Sequence, residues 1–320
     1  MSDTALVRLV GRGGDVLNRL RDYGVYLALA VIVVFNLVFT DNFATVGNLR
    51  LQFVQVVPVA MVALGMALVI GTGGIDLSVG SVMSIAAALI PLYLGYGVWA
   101  AIAVGLVAGA VVGLVNGSLV VLGIQPIVAT LGLLVAGRGL ALVLANGRLV
   151  ELFDPTLAHL GNGAIVGVPI TLLVLAVLAV TLALIMRRAG FGRRLLAIGG
   201  NARAATLAGL PVRRTTVGVY VISGVVAAAA GILVTARQGA SDPSFVGILI
   251  ELSAITAVVV GGTPLTGGQV RIVGTLAGAL LMQLIVATLI QHNLSDAFAR
   301  MIQAAIIVAA VYIQRDRGAA

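Results

Sequence analysis

Unbroken apolar runs of roughly 17 to 22 residues, recurring from one end of the chain to the other, constrain its fold more than any other feature. The hydrocarbon core of a bilayer is about 30 Å thick and admits only backbones that satisfy their own hydrogen bonds. Runs of this length are therefore spanning helices, not the short alternating strands of a barrel. Composition agrees, since the 320 residues are 61% hydrophobic and only 9% charged, far from the balance of a soluble domain. The sequence predicts an all-α fold, a polytopic membrane helical bundle.

Breaks at Gly, Pro, Asn and charged residues divide the chain into about ten transmembrane helices, at 24–39, 53–70, 79–95, 98–121, 126–145, 167–186, 215–236, 250–261, 272–290 and 297–313. The eighth run is too short to cross alone, so it either extends into 244–249 or forms a partly broken helix. The first follows Arg8, Arg12, Arg19 and Arg21 as a signal peptide would, yet no small-x-small cleavage site follows it, so it is read as an uncleaved span. Orientation comes from arginine, because basic residues stay on the cytoplasmic side. Residues 187–214 hold Arg187, Arg188, Arg193, Arg194, Arg203, Arg213 and Arg214 with no acid among them. The opposite loops carry Asp41, Glu151, Asp154, Asp242 and Asp296. This places the loop 187–214 and both termini in the cytoplasm, with a segment 1–23, a single transmembrane domain over 24–313 and a tail at 314–320.

All 19 basic residues are arginine. A phosphate loop of the GxxxxGK[ST] type needs its lysine, so an ATP-driven process must bind its nucleotide on another subunit. The chain has no cysteine, and His159 and His292 stand alone, which leaves no thiol or clustered metal site. The net charge of +8 reflects arginines that flank apolar spans without aromatic company, so it marks membrane topology and lipid contact rather than nucleic-acid binding.

Several polar groups stand inside this apolar frame. "GTGGIDLSVGS" (71–81) interrupts the run between the second and third spans with glycines, hydroxyls and Asp76. A charge at the centre of a spanning helix costs about 2.5–3.5 kcal/mol on insertion scales, so Asp76 must cap, pair or face water. One reading makes Asp76 or Ser78 the N-cap of the third span. The other has Gly71, Gly73 and Gly74 break the helix so that its amides and the carboxylate line a polar passage. Asn116 and Thr130 are further passage candidates, or else hydrogen-bond a neighbouring helix. Arg138 either snorkels to the outer polar zone or pairs with a carboxylate, and Glu251 opens the eighth span, where its charge suits a helix N-terminus. Pro58 is expected to kink the second span. Gly105, Gly109, Gly113 and Gly117, four residues apart, make a smooth ridge for close helix packing.

Within 187–214, "GGNARAATLAGLPVRR" offers a short helix after Gly200, capped by Asn201 and ended by Gly209 and Pro211, with small Ala204 and Ala205 leaving a surface that another protein can approach and Arg213 beyond. The alternative is a solvated basic loop beside anionic lipid.

"GMALVIGTGGIDLSVGSVMSIAAA" (65–88), "IQPIVATLGLLVAGRGLALVL" (124–144), "GRRLLAIGGNARAATLAGLPVRRTTVGVYVISGVVAAAAGIL" (192–233) and "ELSAITAVVVGGTPLTGGQVRIVGTLAGALL" (251–281) resemble, in order, the shared segments of the membrane permease subunits of ribose-type carbohydrate ABC importers. The second segment lies closer to the galactofuranose-type permeases. The resemblance runs from about residue 41 to the C-terminus. The family commonly reads E-L-D-A-I-A where this chain has "ELSAIT", so Ser253 replaces a second carboxylate, and a basic residue often stands where this chain has Gln269.

The resemblance implies a permease of the bacterial cytoplasmic (inner) membrane. It would form a sugar passage with a second copy or a close homologue, receive a monosaccharide or polyol from a binding protein outside, and couple through 187–214 to an ABC ATPase subunit inside. ATP and Mg would be bound by that subunit, with no cofactor and no catalytic residue in this chain. Gly74, Asp76, Ser78, Asn116, Thr130, Arg138, Glu251 and Ser253 are the passage candidates. A rival reading is a self-contained secondary transporter whose coupling proton rides on Asp76 or Glu251. An intramembrane enzyme has little support, because Cys, a His pair and a clear Ser/Lys dyad are all missing.

Overall fold

The computed structural model describes residues 23–295, 297–298, 301–306 and 308. The arginines of 1–22, Arg315, Arg317 and residues 299, 300, 307 and 309–313 of the last expected span lie outside them. Apolar runs become helices at close to their expected limits: α1 (Tyr23–Phe39), then α2 (Val46–Gly71), α3 (Val79–Tyr93), α4 (Val98–Val121), α5 (Pro126–Leu144), α6 (Pro155–Asn162), α7 (Ile170–Arg188), α8 (Gly190–Gly200), α9 (Ala202–Leu207), α10 (Val212–Gln238), α11 (Ile250–Val260) and α12 (Ile272–Gln291). Among the described residues seven helices are long and apolar enough to cross a membrane; α1 and α11 are shorter apolar helices. The chain is a multi-pass helical membrane protein.

Helix ends follow local chemistry. Pro126 and Pro155 open α5 and α6, where a missing amide hydrogen costs nothing. Asp154 caps α6 by accepting the Leu157 amide at 2.9 Å. Pro58 lies inside α2, which continues through it as one helix of 26 residues, about 39 Å long at 1.5 Å per residue. The four-residue glycine ridge packs as expected. Gly109 meets Gly224, Gly113 meets Tyr220 and Val221, and Gly117 meets Val217, so α4 and α10 touch backbone to backbone. Met83 of α3 lies against Gly231 on another face of α10. Together α2, α3 and α10 supply most of the core, including Leu64, Met66, Leu68, Met83 and Tyr220.

Short irregular structure covers one end of the bundle. There α6 packs on α10 through Gly161, and β1 (Val150–Glu151) pairs antiparallel with β4 (Ala240–Ser241), Val150 opposite Ser241. A second ribbon joins β2 (Ala164–Ile165) to β3 (Val168–Pro169). The opposite end carries α8 and α9.

The eighth apolar run does not extend backward. Residues 243–249 form turns, and Leu249 adopts φ 56° before α11 begins. This segment runs down the side of α3: Ser241 Oγ donates to Ala87 O at 2.7 Å, Ser84 Oγ donates to Pro243 O, and Gly247 lies against Gly80. Irregular backbone thus occupies part of the depth, and α11 starts well inside the bundle. Such backbone is tolerated at membrane depth only where protein surrounds it.

Candidate functional site

Residues 72–78 are the sharpest departure from apolar helix. Gly73 N donates to Ile70 O at 2.8 Å and Gly74 N to Val69 O at 3.1 Å, with Gly73 at φ 81°. This is a Schellman ending, whose left-handed residue glycine adopts without a Cβ penalty. The chain then turns back, and Asp76, 1% exposed, becomes an acceptor. Its Oδ1 accepts from Ser78 N at 3.0 Å and Ser78 Oγ at 2.7 Å, and its Oδ2 accepts from Ser223 Oγ at 2.9 Å. Asn116 Nδ2 donates to Ser78 Oγ at 2.7 Å. Ser78 occupies the cap position of α3 but makes no side-chain cap bond; the carboxylate two residues earlier holds its amide instead. Asp76 therefore fastens the 72–78 link to α10 and, through Ser78, to α4. Thr130 joins from α5, donating to Pro126 O at 2.9 Å with Ile75 O at 3.2 Å. Gly74 sits where a Cβ would stand 2.6 Å from the buried Tyr220 hydroxyl.

Three glycine backbones meet beside this link. Gly268 N donates to Gly71 O at 3.0 Å. Gly199 of α8 lies against both, with no room for a Cβ between Gly71 and Gly268. The end of α2, the end of α8 and the α11–α12 connection are thereby held in main-chain contact. Asn201 caps α9, its Oδ1 accepting the Ala204 amide at 2.9 Å. Gly209, at φ 75°, stops the helix, and Pro211 O receives the Thr215 amide at the start of α10. Ala204 is exposed, whereas Ala205 is 5% exposed and faces inward. The outward surface of α9 is Arg203, Ala204 and Leu207, the last 84% exposed. Gly200 and Arg213 are at or near the surface of the same end. A cleft of about 770 Å³ opens there between Gly73, Val121, Ala202, Arg213 and Tyr220.

A third polar cluster surrounds the start of α11. Arg138 neither snorkels away nor bonds a carboxylate: Nη1 and Nη2 donate to Val246 O at 3.0 Å and Gly247 O at 2.5 Å. Turn carbonyls left free by the broken helix thus find a cation. Glu251 is 7% exposed, and its Oε2 is buried without a hydrogen bond. A Cβ on Gly80 would stand 2.6 Å from that oxygen and 3.3 Å from Arg138 Nη2, so both charges converge above one glycine. Ser253, half-buried, accepts from Gln303 Nε2 at 3.0 Å.

The sequence-predicted residues thus form three groups rather than one continuous wall. Gly74, Asp76, Ser78, Asn116 and Thr130 gather in the core near the α8–α9 end. Arg138 and Glu251 meet at the broken helix, and Ser253 stands apart on α11. Sequence reasoning did not single out Ser223, Tyr220, Gly199, Leu207, Gln52, Gln55 or Gln283. Gln55 and Gln283 had a legible signal, being amides inside the expected spans, and Gln52 stands one residue before the second. Ser223 and Gly199 had none, since each matters through a partner distant in the chain. Among the described residues no group of three or more His, Asp or Glu could hold a metal ion.

Comparison with known proteins gives a consistent neighbourhood. A family model described as "branched-chain amino acid transport system / permease component" matches residues 49–311. The galactofuranose transporter permease protein of Escherichia coli (strain K12) is 37% identical over 266 residues, 81% of this chain and 77% of that protein. The ribose import permease protein of Bacillus subtilis (strain 168) is 34% identical over 301 residues, 92% and 93% of the two chains. The fructose import permease protein of Bifidobacterium longum (strain NCC 2705) is 37% identical over 237 residues, 72% and 67%. No solved structure matches significantly.

Proposed function

The chain belongs to the family of branched-chain amino acid transport system permease components, and on that premise we propose that it is the membrane subunit of an ATP-driven ABC importer for a monosaccharide or related polyol. Its work is alternating access. An outer binding protein delivers sugar, two permease copies enclose the passage, and a separate ATPase subunit supplies the driving force from the cytoplasm. The domain runs over 24–313 with ten spans, short cytoplasmic ends and the loop 187–214 inside, in the bacterial inner membrane. Arginine placement supports that orientation. ATP must bind one conformation of the complex better than the other, because a ligand shifts an equilibrium only by its differential affinity.

The observation that carries this reading is α9. A six-residue helix, capped by Asn201, presents Leu207 at 84% exposure at the end where the backbones of α2, α8 and the α11–α12 connection lock together. An apolar knob on a short capped helix suits a groove on a partner protein. The glycine contacts give a push on it a stiff route to the 72–78 link. Arg203 beside it gives the knob a basic rim. The native chain has no cysteine, so Leu207→Cys introduces a single thiol without preparing a cysteine-free background. Cross-linking that thiol to the ATPase subunit in membranes is expected, with a yield that changes when ATP is trapped. Absence of any such cross-link in an assembled, transporting complex contradicts the placement.

A further inference from the structure

Among the described residues, α12 makes two polar side-chain contacts with neighbouring helices, and they differ in kind. Asn36 of α1 donates to Thr288 Oγ1 at 2.7 Å and to Ile32 O at 2.8 Å, and its Oδ1 accepts from Thr40 Oγ1 at 2.8 Å. Asn36 and Thr288 are 0% and 7% exposed. This contact is closed and saturated, as interhelical hydrogen bonding in a membrane should be.

The second contact is open. Gln283 Nε2 donates to Gln55 Oε1 at 2.8 Å and to Gln52 Oε1 at 3.3 Å, and Gln52 Nε2 passes the chain to Asn48 Oδ1 at 3.3 Å. Gln52 is buried, but Gln55 and Gln283 are only half-buried. A primary amide offers two donor hydrogens and one carbonyl acceptor. Within the described residues, the Gln55 side-chain NH₂ and the Gln283 side-chain carbonyl make no hydrogen bond. One hydrogen bond would suffice to join α2 and α12, yet three glutamines and an asparagine gather here, with a donor and an acceptor left over side by side. Gln283 sits near the middle of α12, eleven residues in, and Gln55 lies nine residues into the 26-residue α2, with Gln52 and Asn48 nearer its start. Gly261 packs on Gly274 and Ala257 on Gly278, which brings Ser253 of α11 level with Gln283 in the hairpin. Polar groups at such depth are costly unless they face protein or a water-filled path, and transporter substrate sites concentrate near the midplane.

We propose that Gln55 and Gln283, braced by Gln52, form a contact site for the transported polyhydroxy ligand. A vicinal diol would accept from the Gln55 amide hydrogen with one hydroxyl and donate to the Gln283 carbonyl with the other. The site rests on the permease reading above. It moves the sugar-contacting wall away from Asp76 and Ser78, whose side chains are engaged with each other and with Ser223 and Asn116 in the core, and from Asn116, which is fully buried, and onto the α2–α12 face.

The test uses the complete complex, with ATPase subunit and binding protein, in proteoliposomes, with radiolabelled D-ribose, D-fructose and D-galactose as probes. For any probe the wild type carries, Gln55→Met and Gln283→Met are expected to lower uptake about tenfold, the loss of one good hydrogen bond. ATPase stimulation by the binding protein should persist, so sugar moved per ATP falls. Gln55→Asn, which keeps the amide but withdraws it, should change the ratio of uptake among the sugars, and Thr288→Val at the saturated contact should leave that ratio unchanged. Unchanged uptake and sugar ratio in the glutamine variants, or an equal change in Thr288→Val, overturns the site. A wild-type complex that moves none of the probes under ATP overturns the permease reading itself.

Discussion

Asp76 brings a carboxylate into the core and gives every bond it makes to the protein's own serines. Three donors converge on it, from Ser78 N, Ser78 Oγ and Ser223 Oγ. Asp76→Ala leaves those donors without an acceptor, each at about 1–3 kcal/mol, so a marked fall in the thermal midpoint of the detergent-solubilised protein is expected. Asp76→Asn can still accept from Ser78 and donate to Ser223 Oγ, so it should keep both fold and sugar uptake. A proton carrier would lose transport on the same change, which makes uptake by Asp76→Asn the discriminating measurement. The need for this residue was legible from sequence, because a charge in an apolar run demands company. Its company was not, since Ser223 lies 147 residues away and serine in a helix gives no signal by itself. Ala205 shows the converse: its small side chain looked like a docking surface, yet the turn of α9 points it inward and sends Leu207 outward.

At the scale of elements, periodic glycine was the most readable signal and broken backbone the least. Gly105, Gly109, Gly113 and Gly117 recur on one face of any helix, so the packing ridge of α4 followed from spacing alone. Its partner, α10, needed the fold. Gly113→Leu would force a Cβ to within 2.7 Å of Val221 Cα. Overpacking of this kind costs about 1–3 kcal/mol or more, so this variant should lose folded yield on size-exclusion chromatography, while the same change at exposed Gly132, where nothing lies within 4 Å, should not. The start of α11 was harder to read. Residues 244–249 are apolar enough to extend a helix, but their backbone follows α3, and carbonyls at Val246 and Gly247 are satisfied by Arg138 from α5. That compensation joins residues more than a hundred positions apart, which no local pattern encodes.

Across the whole molecule, polar contacts divide the bundle into a fastened end and an open middle. At the α8–α9 end, Gly71, Gly199 and Gly268 tie three segments together through main-chain contact, and the Asp76 network fastens the adjoining link to α4 and α10. Between α2 and α12, the Gln55 side-chain NH₂ and the Gln283 side-chain carbonyl lie on a half-buried surface with no hydrogen bond among the described residues. This arrangement suits a protein pushed at one end to change access at its centre. Hydropathy was enough to read a multi-pass membrane bundle. It could not reveal how the 187–214 segment joins the 72–78 link, because the connection is backbone contact between glycines that look alike in sequence. On the proposed function, transport is driven by ATP on a partner subunit and not by this chain alone. Sugar accumulation in proteoliposomes, measured with ATP inside or with an imposed proton gradient and no ATP, tests it most directly. Accumulation that requires ATP, the ATPase subunit and the binding protein together is the predicted result, and concentrative uptake by the purified chain on the proton gradient alone would contradict it.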